Sequence, residues 1–161
     1  MRLRLLYWLL PIMWMMLIFT SSATPYENQD VKPLLSGLDI QFLTPYLSWI
    51  EFTYHSSIIS IKSLGVEGFI EFFIRKGAHV GVFFVLTCLF FISIIKNTQW
   101  KKSKIYIWSI ILTALYAVID ELHQGITPNR TPYVGDVILD IFGGSLALIA
   151  IAMIFQITKK V

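Results

Sequence analysis

The chain has 161 residues, 56% hydrophobic and only 14% charged, with a mean hydropathy of +0.69. Soluble domains carry roughly 25% charged residues, so an ordinary soluble domain is excluded, and the length suits one compact unit spanning 1–161. The net charge is +3, but the basic residues sit at the ends of apolar runs rather than in a stripe, which excludes a nucleic-acid partner, and the single Cys88 excludes an internal disulfide.

The first apolar run, Leu5 to Phe19, reaches membrane-spanning length only with Thr20, Ser21 and Ser22, giving a span over about 5–22. "MRLR" ahead of it and "SSA" behind it also resemble a cleavable signal peptide. The length of the run and its Trp8 and Trp14 favour a retained helix. Residues from about 21 to 75 alternate apolar clusters with single charges. Trp49, Phe52, Tyr54, Phe69, Phe72 and Phe73 there suit an interfacial amphipathic helix or a partly re-entrant element, with breaks at Pro45 and between Gly65 and Gly68.

Three further spans follow, over about 77–95, 105–123 and 136–157. The predicted fold is all-α: a polytopic four-helix membrane bundle with an extracytoplasmic interfacial helical segment between spans one and two. Gly77, Gly81, Gly143 and Gly144 are expected to let helices approach closely. Arg2, Arg4, Lys96, Lys101, Lys102, Lys104, Lys159 and Lys160, eight of the thirteen Lys and Arg residues, fall on one side, and all ten Asp and Glu residues on the other side or its boundary. Short basic loops stay cytoplasmic, so both termini are expected in the cytoplasm of a cell whose cytoplasmic membrane the chain spans.

Counting back from the basic ends measures depth. Lys96 to His79 is 17 residues, Lys104 to Asp120 is 16 and Lys159 to Asp140 is 19, all about 24 to 29 Å at 1.5 Å per residue. His79, Asp120 and Asp140 therefore share a layer near the outer edge of the hydrocarbon, with Glu121, Gln124 and Asp136 at it or just above. Helical spacing adds Glu71 to Arg75 at i+4 and Lys76 to His79 at i+3. A charge at membrane depth costs about 2.5 to 3.5 kcal/mol on insertion scales, so these groups face inward and find partners. One account is a buried ion network that locks the helices together. The other is a pocket. His55 and His123 are expected to be solvated or interfacial, and the Asn129 sequon is discounted because Pro132 follows in a short loop. "DELHQ" lacks the second histidine of a zinc motif, Ser145 has no base in reach, and no metal is expected.

"RKGAHVGVFFVL" and "DELHQGITPNRTPYVGDVILDIFGG" together resemble the VanZ-like family of small bacterial membrane proteins. Its pattern is a basic residue and a histidine opening one span, an acidic-Glu-x-x-Gln end to the next, then Arg and spaced Asp and Gly. In this sequence those positions are Lys76, His79, Asp120, Glu121, Gln124, Arg130, Asp136 and Gly143. "MMLIFTSSATP" is similar to the family's first span, and Asp140 stands where many members carry Asn. The resemblance covers most of the chain. It implies the membrane fold, the polar layer and a link to teicoplanin-type glycopeptide resistance, and it names no cofactor or chemistry.

Two functional classes follow. In one, Arg75, Lys76 and Arg130 bind an anionic headgroup at the outer leaflet, as of a cell-wall lipid precursor, by charge-assisted hydrogen bonds. In the other, an enzyme modifies such a lipid with Glu121 or His79 as general base. The expected ligand-binding set is Arg75, Lys76, His79, Asp120, Glu121, Gln124, Arg130, Asp136 and Asp140.

Overall fold

Three helices dominate: α5 (Ile61–Asn97), α6 (Lys102–Gln124) and α7 (Val134–Thr158), each long and apolar enough to cross a membrane. The computed structural model describes residues 2–25, 29–128 and 130–158. Glu27, Asn129, Lys159 and Lys160 lie outside the described residues. The chain opens with α1 (Arg2–Leu5), a 3-10 turn (Leu6–Trp8) and α2 (Leu9–Ser22). The apolar run Leu6–Ser22 is by itself shorter than a full span.

Side-chain bonds weld α2 to the others. The Trp14 indole donates to the Val82 carbonyl at 2.8 Å and Ser93 donates to the Tyr7 carbonyl at 2.7 Å, so α2 runs antiparallel to α5. Tyr116 donates to the Met15 carbonyl at 2.5 Å and Ser22 to Asp120 at 2.6 Å, so α2 runs parallel to α6. Ile18, Phe83, Leu86, Phe90 and Ala117 meet in the core between these helices. Away from it, Ile107, Ile111, Leu115, Val118 and Leu122 form an exposed stripe along one face of α6. An apolar stripe at helical spacing with no protein against it is what a lipid-facing helix presents.

Between α2 and α5 the expected helical segment is corrected. Among the described residues there, only short pieces are helical, chiefly α3 (Lys32–Ser36), a 3-10 turn (Gln41–Leu43) and α4 (Thr44–Leu47), and a β-hairpin follows. Strands β1 (Glu51–Tyr54) and β2 (Ser57–Ser60) pair antiparallel, with Phe52 opposite Ile59 and Tyr54 opposite Ser57. Aromatic and β-branched residues at 52, 53, 54, 58 and 59 favour the pleated backbone. The His55–Ser56 turn has positive φ at both residues, 47° and 62°, the two-residue turn whose twist matches a hairpin. All-α thus becomes mostly helical with one small sheet.

Helix α5 also begins earlier than 77. Ser60 caps it, accepting from the Ser63 amide at 3.2 Å while the Ser63 hydroxyl accepts from the Ser60 amide at 3.3 Å. The expected break is at Gly65, whose φ of +71° is non-helical and offsets the first turn from the long run beyond. The glycines divide. A Cβ at Gly143 would fall on the Val80 carbonyl, and one at Gly144 would lie 2.7 Å from the Thr87 hydroxyl, so these two set the close α5–α7 approach. Gly77 and Gly81 do not: a Cβ at either meets nothing within 4 Å, because both lie on the outward face of α5.

Candidate functional site

Parallel packing of α5 against α7 brings equivalent turns side by side. Lys76 reaches Asp136 at 2.6 and 2.9 Å, and one turn on, His79 Nδ1 meets Asp140 Oδ1 at 3.1 Å. The offsets of 60 and 61 residues show the helices running in step. From β1, the Tyr54 hydroxyl donates to the same Asp136 oxygen at 2.5 Å, and Lys76 sits over the Tyr54 ring at 4.6 Å. Burial, and then the hydrogen bond and charge of Asp136, push the Tyr54 phenol far above its usual range.

At the end of α6, Asp120 accepts from Ser22 on one oxygen and from the Gln124 amide at 3.0 Å on the other. Gln124 passes the chain on by accepting from Arg130 at 2.9 Å, and Arg130 also donates to Gln29. Glu121 takes a different direction, accepting the Tyr133 amide at 2.5 Å where the loop turns into α7. Arg75 bonds Glu71 at 2.5 Å, the i+4 pair of the sequence, and Lys32 lies 3.6 Å from the same carboxylate.

The nine sequence-predicted residues therefore lie at one end of the bundle, but not in one set of contacts. Lys76, Asp136, His79 and Asp140 tie α5 to α7. Asp120, Gln124 and Arg130 tie α6 to α2 and the following loop. Arg75 bonds Glu71 one turn back on α5. Sequence reasoning missed Ser22, Gln29, Tyr54 and the Tyr133 amide as partners; the paired serines at the end of the first apolar run were the one visible signal. His123 and His55 both make ring contacts near this end of the bundle. The His123 ring is half-buried and stacks on the exposed Phe19 at 3.9 Å, and His55 is exposed and stacks on Tyr133.

Two adjoining cavities meet in this layer. The first, about 410 Å³, lies between α2, α5 and α6, with Trp14, Leu17, Ile18, Val82 and Phe83 below and polar groups above. The second, about 330 Å³, lies under the hairpin and the 125–133 loop, among Tyr54, Lys76, Tyr133 and Asp136. Gln29, Arg75, His79, Gln124 and Arg130 line both, forming the wall between them. Asp120 lines the first only, while Glu121 and Asp140 line neither. Asp140 instead pairs with Nδ1 of His79, a residue that lines both cavities. Oε2 of Glu121 and Oδ2 of Asp140 are buried without a hydrogen-bond partner among the described residues. No group of three or more His, Cys, Asp or Glu side chains among those residues is gathered for a metal ion.

A family model described as VanZ/LLP1 matches residues 7–156, nearly the whole chain. No curated protein and no solved structure matches it.

Proposed function

This chain belongs to the VanZ/LLP1 family, and from that membership and the site geometry we propose that it acts at the outer leaflet of the cytoplasmic membrane, on or with an anionic cell-envelope lipid, in a setting linked to teicoplanin-type glycopeptide resistance. The observation that carries the reading is the shared wall: Arg75, His79, Gln124 and Arg130 face an apolar and a polar cavity at once. An amphiphile's headgroup needs that junction. Guanidinium groups suit a phosphate or carboxylate because their planar donors form paired bonds.

The reading takes α1 and α2 together as a fourth span. With the 3-10 turn between them they hold 21 residues, 2–22, about 31 Å at 1.5 Å per residue, enough to cross the hydrocarbon. Clustered lysines between α5 and α6 make that end cytoplasmic, which turns the polar layer, the hairpin and the 125–133 loop outward. Impermeant thiol labelling in a Cys88→Ala background checks this: cysteines at 30 and 130 should react in intact cells, and labelling at 102 instead would overturn the layout.

A second reading, enzymatic, has one specific observation behind it. Asp140 holds Nδ1 of His79 at 3.1 Å, and His79 lines both cavities, an arrangement suited to a general base. Of the two candidate bases, His79 lines the cavities and Glu121 does not.

The test of the main reading is Arg130. Loss of a charged, paired hydrogen bond costs about 1.5 to 3 kcal/mol, a tenfold or greater loss of affinity. Arg130→Ala should abolish any glycopeptide tolerance and reduce co-purifying anionic lipid, with Arg130→Lys close to it, while the protein still accumulates. Full tolerance and full lipid retention in Arg130→Ala would leave the layer a structural ion network.

A further inference from the structure

The first cavity has an open side. Above the Trp14–Val82 bond, which closes its lower end, Leu17, Ser21 and Ala78 on its rims are exposed. The α5 side of this mouth carries little bulk. Ala78 stands at the rim, and beside it Gly77 and Gly81 leave open space where a Cβ would be. Trp14 spends its indole N–H on the Val82 carbonyl, so its ring offers the floor an apolar surface and no donor. Leu17, Ile18, Val82 and Phe83 continue that surface upward, and Arg75, His79 and Arg130 end it. From the floor at Trp14 to the rim at Ser21 is seven residues, about 10 Å of helix rise.

We propose that the α2–α5 slot admits its ligand sideways from the bilayer, so that a membrane amphiphile seats one hydrocarbon chain on Trp14, Leu17, Ile18 and Val82 with its anionic group at Arg75 and Arg130. This rests on the headgroup reading above and adds the chain site and the route. Apolar surface below and cations above follow the depth order of a leaflet lipid, tail beneath head. The volume, about 410 Å³, is within the usual range for a bound small molecule. A water-soluble anion would gain nothing from the lower half. An amphiphile gains from burying its chain against protein only relative to water, so in a bilayer the slot serves chiefly to position the chain and through it the head.

The experiment uses the full chain with Trp14 as the only tryptophan (Trp8, Trp49, Trp100 and Trp108→Phe), reconstituted in phosphatidylcholine nanodiscs. A small share of the lipid is phosphatidylglycerol with brominated chains, or the same share of brominated phosphatidylcholine. Trp14 fluorescence should be quenched several-fold more by the anionic lipid. Ala78→Phe and Leu17→Phe, each filling the slot from one rim, should remove that preference without lowering the melting temperature, and Leu115→Phe on the far face of α6 should not. Equal quenching by both lipids, while Arg130→Ala still reduces retained anionic lipid, would overturn the slot and leave the headgroup reading standing. Equal quenching with no effect of Arg130→Ala would overturn both. Protein-dependent binding of inorganic phosphate that requires Arg130, with no quenching preference between the two brominated lipids, would identify a free-anion site and overturn the amphiphile.

Discussion

The Lys76 ammonium lies 2.6 Å from one Asp136 oxygen and 2.9 Å from the other, bridging two parallel helices across 60 residues of sequence. One turn deeper, His79 and Asp140 repeat the connection. Removing one member of a largely buried pair leaves the other charge without its partner, at a cost of about 3 kcal/mol or more. Lys76→Met and Asp136→Leu should each lower thermal stability in detergent by that order, and the double variant should recover a large part of the loss. Strict additivity would show that the two residues act separately.

Gly143 and Gly77 make a paired prediction about helix contact. Gly143→Ala places a methyl on the Val80 carbonyl, which backbone cannot yield without separating α5 from α7. It should cost at the upper end of the about 1 to 3 kcal/mol seen for overpacking, and loosen both cross-helix pairs. Gly77→Ala, facing open space, should be neutral or slightly stabilising, since alanine is the better helix former by about 1 kcal/mol in exposed positions. Melting temperatures of the two variants, compared in one detergent, decide the matter.

Tyr54 gives a pH dependence. Its phenol is raised above the ordinary value by burial and by Asp136, so the folded state favours the neutral, donating form. The stability this adds is fully present below the unfolded tyrosine pKa of about 10 and is lost as pH rises through the higher folded value. Tyr54→Phe should therefore destabilise by about 1.5 to 3 kcal/mol at neutral pH, the cost of a hydrogen bond to a charged group. The gap between wild type and variant, followed by denaturation from neutral to strongly alkaline pH, should narrow only at the alkaline end. A constant gap across the range would mean that Phe loses packing rather than the hydroxyl contact.

Depth was readable from the sequence because helix rise is constant: counting from lysines brings His79, Asp120 and Asp140 to one level, and in the fold they share one end of the bundle. Rotation was harder to read. A glycine in an apolar run looks the same whether it faces a neighbour, as Gly143 does, or open space, as Gly77 does, and only the packing angle separates them. Partners supplied from far along the chain were hidden too. Tyr54 reaches Asp136 through a hairpin whose turn uses His55 and Ser56 at positive φ, where the sequence offers none of the Asn or Gly that would mark it. Ser22 meets Asp120 across 98 residues, a pairing no local spacing encodes.

The parallel alliance of α5 and α7 constrains assembly. Synthesis delivers α5 first and α7 only after α6 and its loop, so for that interval Lys76 and His79 wait without the carboxylates that later hold them. Asp136 and Asp140 in turn enter at the start of the last helix, where insertion without a receptive neighbour is costly. Nascent α5 should therefore act as a docking template for α7, and a defect at Lys76 or His79 should surface first as failed integration of a helix whose partner carboxylates lie 60 and 61 residues downstream.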